Sequence, residues 1–223
     1  MNITYLELDT KKLQVQRDFY SNALGLPVDL SLNKLKVTAG KTTLVFTQAE
    51  PNFDGAYHFA FNIPENQFRA AKEWISKRIS LLQDETGEDE FSSENWNSHS
   101  IYFKDAAGNI LEFIARHNLK NAVAGAFGGS QILNVSEIGL SSEDVIAFAN
   151  KLCSTLNLSI FKQEPAETFT PVGDDNGLFI LPAKDRIWYP DTGVPAQLLP
   201  VKVKGSVEGK EWEVRGVPYE ILV

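Results

Sequence analysis

The chain has 223 residues, a formal net charge of −8 and one cysteine. That length suits one or two globular domains with a sizeable core. The acidic balance argues against a nucleic-acid partner, which needs a basic face, and the lone Cys153 excludes an internal disulfide and fits a reducing compartment. With no basic-plus-apolar leader and no long apolar run, a soluble cytoplasmic protein without a membrane partner is expected.

In chain order, the first predicted unit is "ITYLELDTKKLQVQRDFYSNALGL". Its strand alternates, with Leu6 and Leu8 on one face and Tyr5 and Glu7 on the other. The helix that follows carries Leu13, Tyr20 and Leu24 at helical spacing, with Gln16 breaking the stripe. Three short strands are expected next, in "DLSLN", "KLKVTAG" and "KTTLVFTQ".

The second unit opens on "HFAFNIP", where Phe59, Phe61 and Ile63 share one face and His58, Ala60 and Asn62 the other. Its helix has a stripe of Phe68, Ala71, Ile75 and Ile79. A polar loop, "QDETGEDEFSSENWN", leads to strands in "SIYFKD" and "NILEFIAR". The Gly- and Ala-rich "HNLKNAVAGAFGGSQ" reads as a connector.

The third unit, "VSEIGLSSEDVIAFANKLCSTLNL", repeats the strand and helix, with Val145, Phe148, Leu152 and Leu156 as its stripe and Cys153 as a buried structural thiol. Strands are expected in "LSIFKQ", "ETFTPVG" and "GLFILPA". Gly40, Gly108 and Gly177 precede the last strand of each unit, where a positive backbone angle is expected. A Pro-rich loop holds Trp188 and Tyr189, which with Trp96 can line a ligand cavity but are expected instead to seat the tail on the sheet; it leads to the hairpin "VKVKGSVEGKEWEV". No fourth helix follows.

The repeated plan is β-α-β-β-β in an α+β fold. It resembles the vicinal oxygen chelate superfamily of glyoxalases, bleomycin- and fosfomycin-resistance proteins and extradiol dioxygenases. "RDFYSNALGLPV" is similar to the helix and turn of a first unit, and "YFKDAAGNILEFIA" to the closing hairpin, with Ala106 and Ala107 in place of a Pro and an Asp. The resemblance implies two modules forming a glyoxalase-like curved sheet with a cavity, plus a third partial module. The expected divisions are 1–117 as the two paired modules, 118–131 as a linker, and 132–223 as the third module with its C-terminal hairpin.

Metal-dependent relatives supply two His and one Glu from such strands. The resemblance assigns those positions to Tyr5, His58 and Glu112. The residues themselves leave His58 open between a satisfied core histidine and a metal ligand or base. Alternation independently turns His58 and Glu112 toward the cavity, where a carboxylate between Ile110 and Ile114 needs a partner. Tyr5 departs from the pattern, since a phenol is a poor ligand for a divalent ion at neutral pH. Glu7 or Tyr102 can stand in its place, and Tyr5, Glu7 and Tyr102 are the expected substrate-binding residues. Glu137, at the matching position of the third unit, reads as a solvated charge at a strand edge. His99 reads as part of the acidic loop and His117 as a surface residue.

The resemblance leaves the class of activity open. The favoured reading is a small-molecule-binding protein with no metal, or with a weakly bound iron, manganese or zinc ion. The alternative is a metal-dependent lyase, transferase or ring-cleaving dioxygenase using His58 and Glu112. A homodimer is compatible with either.

Overall fold

A computed structural model describes residues 1–223. The first unit comprises β1 (Asn2–Thr10), α1 (Leu13–Asp18) running into a π-helical turn at Phe19–Ala23, β2 (Val28–Leu30), β3 (Lys34–Ala39) and β4 (Thr42–Gln48). The second comprises β5 (His58–Ile63), α2 (Phe68–Ser76), β6 (Phe91–Ser93), β7 (Ser98–Lys104) and β8 (Ile110–Arg116). The third comprises β9 (Asn134–Gly139), α3 (Val145–Leu156), β10 (Phe169–Asp174) and β11 (Gly177–Pro182). "LSIFKQ", expected as a strand, is reduced to a single bridge from Ile160 to Val172. The tail supplies β12 (Val201–Val207), β13 (Lys210–Gly216) and β14 (Glu220–Leu222), three strands without a helix.

In each helical unit the first strand pairs in parallel with the last, β1 with β4, β5 with β8 and β9 with β11. The units then join through their first strands into two sheets of seven strands. One runs β14-β13-β12-β1-β4-β3-β2 and the other β10-β11-β9-β5-β8-β7-β6. Units one and two therefore do not share a sheet. The pair that forms the curved sheet with a cavity is units two and three, through an antiparallel β5–β9 ladder that shifts register between Ala60 and Phe61. Unit one is completed by the tail, through β1 and β12. A ladder is made of main-chain groups, and the free edge of one first strand is chemically much like another. Which units joined was therefore invisible in the strand patterns.

One hydrophobic core of 42 buried residues draws on both sheets and all three helices, so the two sheets fold as one body. Gln16 does not break the helix stripe for want of burial. It is fully buried, and its Nε2 donates to Asp105 Oδ2 at 2.6 Å, where the Tyr20 hydroxyl also donates at 3.1 Å. This clip fastens the first unit's helix to the hairpin turn of the second. In α3 the buried face is Val145, Ala149, Leu152 and Leu156. Phe148 sits at its margin, stacked on Tyr219, and Cys153 is half-buried rather than enclosed. Gly40 and Gly108 take positive φ, as expected, but Gly177 does not. A Cβ at Gly177 would lie 2.8 Å from the Met1 carbonyl oxygen, so close approach is what this glycine permits. No helix is long and apolar enough to cross a membrane.

Candidate metal and ligand site

The cup of the second sheet is built around one cross-strand row. Glu112 on β8 and Glu137 on β9 are both register partners of Ala60 on β5. The ladder puts the two carboxylates on either side of the smallest side chain in the row, so nothing stands between them. Tyr102 on β7 faces Glu112 from the outer side. His58 lies two residues from Ala60 on the same face of β5, beside Ile110. One donor atom from each of His58, Glu112 and Glu137 lies within 4.8 Å of the others, and all three residues are buried.

The imidazole tautomer follows from its neighbour. His58 Nδ1 is 3.1 Å from the Ile110 carbonyl oxygen, which can only accept, so Nδ1 carries the hydrogen. Nε2 keeps its lone pair and points toward Glu112 Oε2 at 3.8 Å, too long for a hydrogen bond. Burial lowers the His58 pKa from 6.5 to about 4, so the ring is neutral near pH 7.

The carboxylates are under strain of charge. Burial first, and the Glu137 charge second, push Glu112 well above the ordinary carboxylate range. Burial pushes Glu137 up as well, opposed by the Arg116 guanidinium, which donates to Glu137 Oε1. Arg116 is fully buried, stacked over Trp96 at 5.4 Å and Phe161 at 5.8 Å, with Asp175 3.8 Å away. Its Nε and Nη1 have no acceptor. Two carboxylates against one guanidinium leave the cup one positive charge short, a deficit that a proton on Glu112 or a bound cation removes.

A loop covers the cup. Trp188 lies on His58, ring centroids 4.9 Å apart, and Tyr189 packs edge-on against Tyr102 at 5.5 Å. Gly139 on β9 makes this possible, because a Cβ there would overlap the Trp188 ring. The cavity measures about 210 Å³, opens to solvent, and is lined by Trp96, Tyr102, Phe169, Arg186, Trp188 and Tyr189. A cavity of roughly 150 Å³ accommodates benzene, so this one has room for a single ring.

Three of the residues expected from the sequence, His58, Glu112 and Tyr102, meet in this cavity. Tyr5 and Glu7 do not join them, because β1 belongs to the other sheet. Glu137 is not a solvated edge charge: it is 2% exposed, because β9 is a central strand paired on both sides. Trp188 and Tyr189 line the cavity rather than only seating the tail. Arg116 and Gly139 were missed. The one available signal for Arg116 was its spacing of four from Glu112, which places both on the same face of β8.

No family model matches the sequence, and no curated protein matches it. Solved structures do match. A putative dioxygenase from Bacillus subtilis aligns over 82% of this chain with a TM-score of 0.59 and 17% identity. A glyoxalase I mutant from Zea mays aligns over 82% with a TM-score of 0.54 and 12% identity. The fold is that of the vicinal oxygen chelate proteins. The chain spans 63% of the length of the Bacillus protein and 67% of the maize one. At these identities the likeness to glyoxalase and dioxygenase concerns the fold, and the chemistry has to be argued from the cup itself.

Proposed function

We propose that this chain binds a small molecule of about one ring in the cup of the second sheet, against a divalent cation held weakly by His58, Glu112 and Glu137. The observation that carries the reading is the convergence of three buried donor atoms within 4.8 Å in an aromatic-lined cavity. One nitrogen and two carboxylates suit manganese, iron or zinc. Such an ion supplies Lewis-acid polarisation of a ligand oxygen.

The rest of the work falls to side chains. His58 offers Nε2, held in that role by its Nδ1 bond to Ile110. Tyr102, Trp96 and Phe169 offer flat apolar walls. Trp188 and Tyr189 cover His58 and Tyr102 with their rings. Arg116 accounts for the weakness: it already neutralises Glu137, so a cation must compete with a guanidinium in place. Without a cation, a proton on Glu112 serves the same balance, which supports the metal-free state as the resting form of a binding protein.

The test is a titration of chelator-stripped protein with Mn²⁺, read by electron paramagnetic resonance of the free ion. Saturable 1:1 binding is expected. Glu112→Gln should weaken it by roughly tenfold or more, the scale at which even outer partners of a metal ligand count. Equal binding by the wild type and Glu112→Gln would place the ion outside the cup and end the metal reading.

A further inference from the structure

The chain has three histidines, and the two outside the cup touch each other. His99 is not in the acidic loop. It stands on β7, half-buried, with Nδ1 2.8 Å from His117 Nε2. The opposite nitrogen of His117, Nδ1, lies 3.6 Å from Glu65 Oε2. The Phe68 ring flanks His99 at 5.2 Å. His99 is the register partner of Ala115, whose face of β8 is opposite to that of Glu112 and Arg116. The pair is therefore on the helix-bearing side of the second sheet, with the sheet between it and the cup.

We propose that His99 and His117 form a second metal site, for a borderline transition ion of tetragonal preference such as Cu²⁺ or Ni²⁺, with Glu65 orienting His117. The His117 tautomer already points that way. The Glu65 carboxylate, too far for a hydrogen bond at 3.6 Å, favours by its charge a hydrogen on His117 Nδ1, which leaves Nε2 with a free lone pair. His99 Nδ1 must then carry the single hydrogen between the two rings. Binding replaces that one proton. The neutral His99 ring changes tautomer, its hydrogen passing by way of solvent from Nδ1 to Nε2, and the two facing nitrogens present lone pairs to the ion.

The spacing selects the geometry. With metal–nitrogen bonds of about 2.0–2.1 Å, two nitrogens at adjacent corners of a square stand roughly 2.9 Å apart, and at tetrahedral corners roughly 3.3 Å. The observed 2.8 Å is nearer the square spacing, and binding turns both rings so that lone pairs now facing each other converge on the ion. Imidazole donors in a tetragonal setting favour Cu²⁺ and Ni²⁺. His117 is 29% exposed in its side chain, so water can complete the remaining corners. The three segments tied together are the β5–α2 connection, β7 and the chain just after β8, none of which contributes a cup ligand from this face.

The experiment uses the full chain with the cup silenced by Glu112→Gln and Glu137→Gln, so that its outcome does not depend on the cup holding metal. Ni²⁺ titration calorimetry in two buffers of different ionisation enthalpy should show one ion bound per chain with no net proton released. Cu²⁺ at one equivalent should give a resonance spectrum with nitrogen hyperfine structure. His117→Ala should lose at least tenfold in Ni²⁺ affinity, and Glu65→Gln should lose several-fold while leaving the thermal midpoint without metal near that of its parent. If the silenced background does not fold, the same titrations on wild type against His99→Ala and His117→Ala decide. Ni²⁺ affinity unchanged in both single variants, or no nitrogen hyperfine structure, would overturn the site and leave the pair as a hydrogen bond.

Discussion

The two sheets share one plan and put acidic residues on the same kind of face, yet they treat those residues in opposite ways. In the first sheet Glu7 accepts from the Tyr5 hydroxyl at 2.6 Å, from Lys34 Nζ at 2.6 Å and from Thr47 Oγ1 at 2.8 Å. These bonds outweigh partial burial and hold its pKa down at about 2. Lys34 and Lys204 are half in solvent, and Glu213 is bonded to Lys204 at 3.0 Å; Asp9, two residues from Glu7 on the same face, has no ion pair and is pushed up by burial and by the Glu7 charge. In the second sheet Glu112 is 3% exposed, lacks a lysine, and is pushed up instead of down. The difference is cover. The loop bearing Trp188 and Tyr189 covers one cup, and no aromatic loop lies over Tyr5 and Glu7. Desolvation turns the same residue type from a satisfied surface charge into a group that demands a proton or a cation.

The largest expected effect comes from breaking the one ion pair in the covered cup. Arg116→Met leaves Glu137 buried without its cation and should cost about 3–5 kcal/mol of stability, read by urea denaturation. The same variant should bind Mn²⁺ more tightly than wild type, and excess Mn²⁺ should restore part of the loss. A loss that Mn²⁺ does not relieve would mean that the guanidinium and the ion do not compete for Glu137.

Removing the cover's foothold is the next step. Gly139→Ala places a methyl group in the Trp188 ring and should cost about 1–3 kcal/mol through overpacking. Tryptophan emission should shift as Trp188 leaves His58. An unchanged spectrum with unchanged stability would show that the loop is not seated by this glycine.

The pH dependence should have opposite signs in the two cups. Folded Glu112 holds its proton where the unfolded chain, near 4.5, has lost it, so the metal-free protein loses stability as pH rises past that value. His58, lowered to about 4, works the other way between pH 4 and 6.5, so the Glu112 effect should be read as the difference between wild type and Glu112→Gln, whose decline should be flatter. Glu7, lowered to about 2, contributes stability that is present above 4.5 and lost as pH falls toward 2. Glu7→Gln should therefore blunt acid unfolding and leave the alkaline limb alone. Identical profiles for the two variants would erase the contrast between the sheets.

The smallest effect should come from Tyr5. Tyr5→Phe removes one half-exposed hydrogen bond and should cost about 0.5–1.5 kcal/mol. Tyr5→His, which the family resemblance implies would complete a two-His site, should leave Mn²⁺ affinity unchanged, because β1 is in the other sheet. A rise in affinity would put Tyr5 back at the metal.

Much of this was legible in the chain. Period-two alternation turned His58 and Glu112 to one face because a strand has no other choice. The helix stripes and the β-α-β-β-β repeat followed from local periodicity in the same way, as did the absence of a fourth helix. Gln16, Glu137, His99 and Arg116 were misread or missed for one reason. A polar side chain advertises no burial, and its fate depends on what the folded chain brings opposite to it.

The sequence by itself determined the elements, the face each side chain takes and the number of units, because these depend on neighbours a few residues away. Only the tertiary structure decided that unit two joins unit three and that the tail completes unit one. Main-chain edges carry no identity, and the choice is made by the packing of whole units around one core. That choice set Glu137, and not Tyr5, beside His58 and Glu112, put Arg116 next to it, and placed Trp188 over the cup.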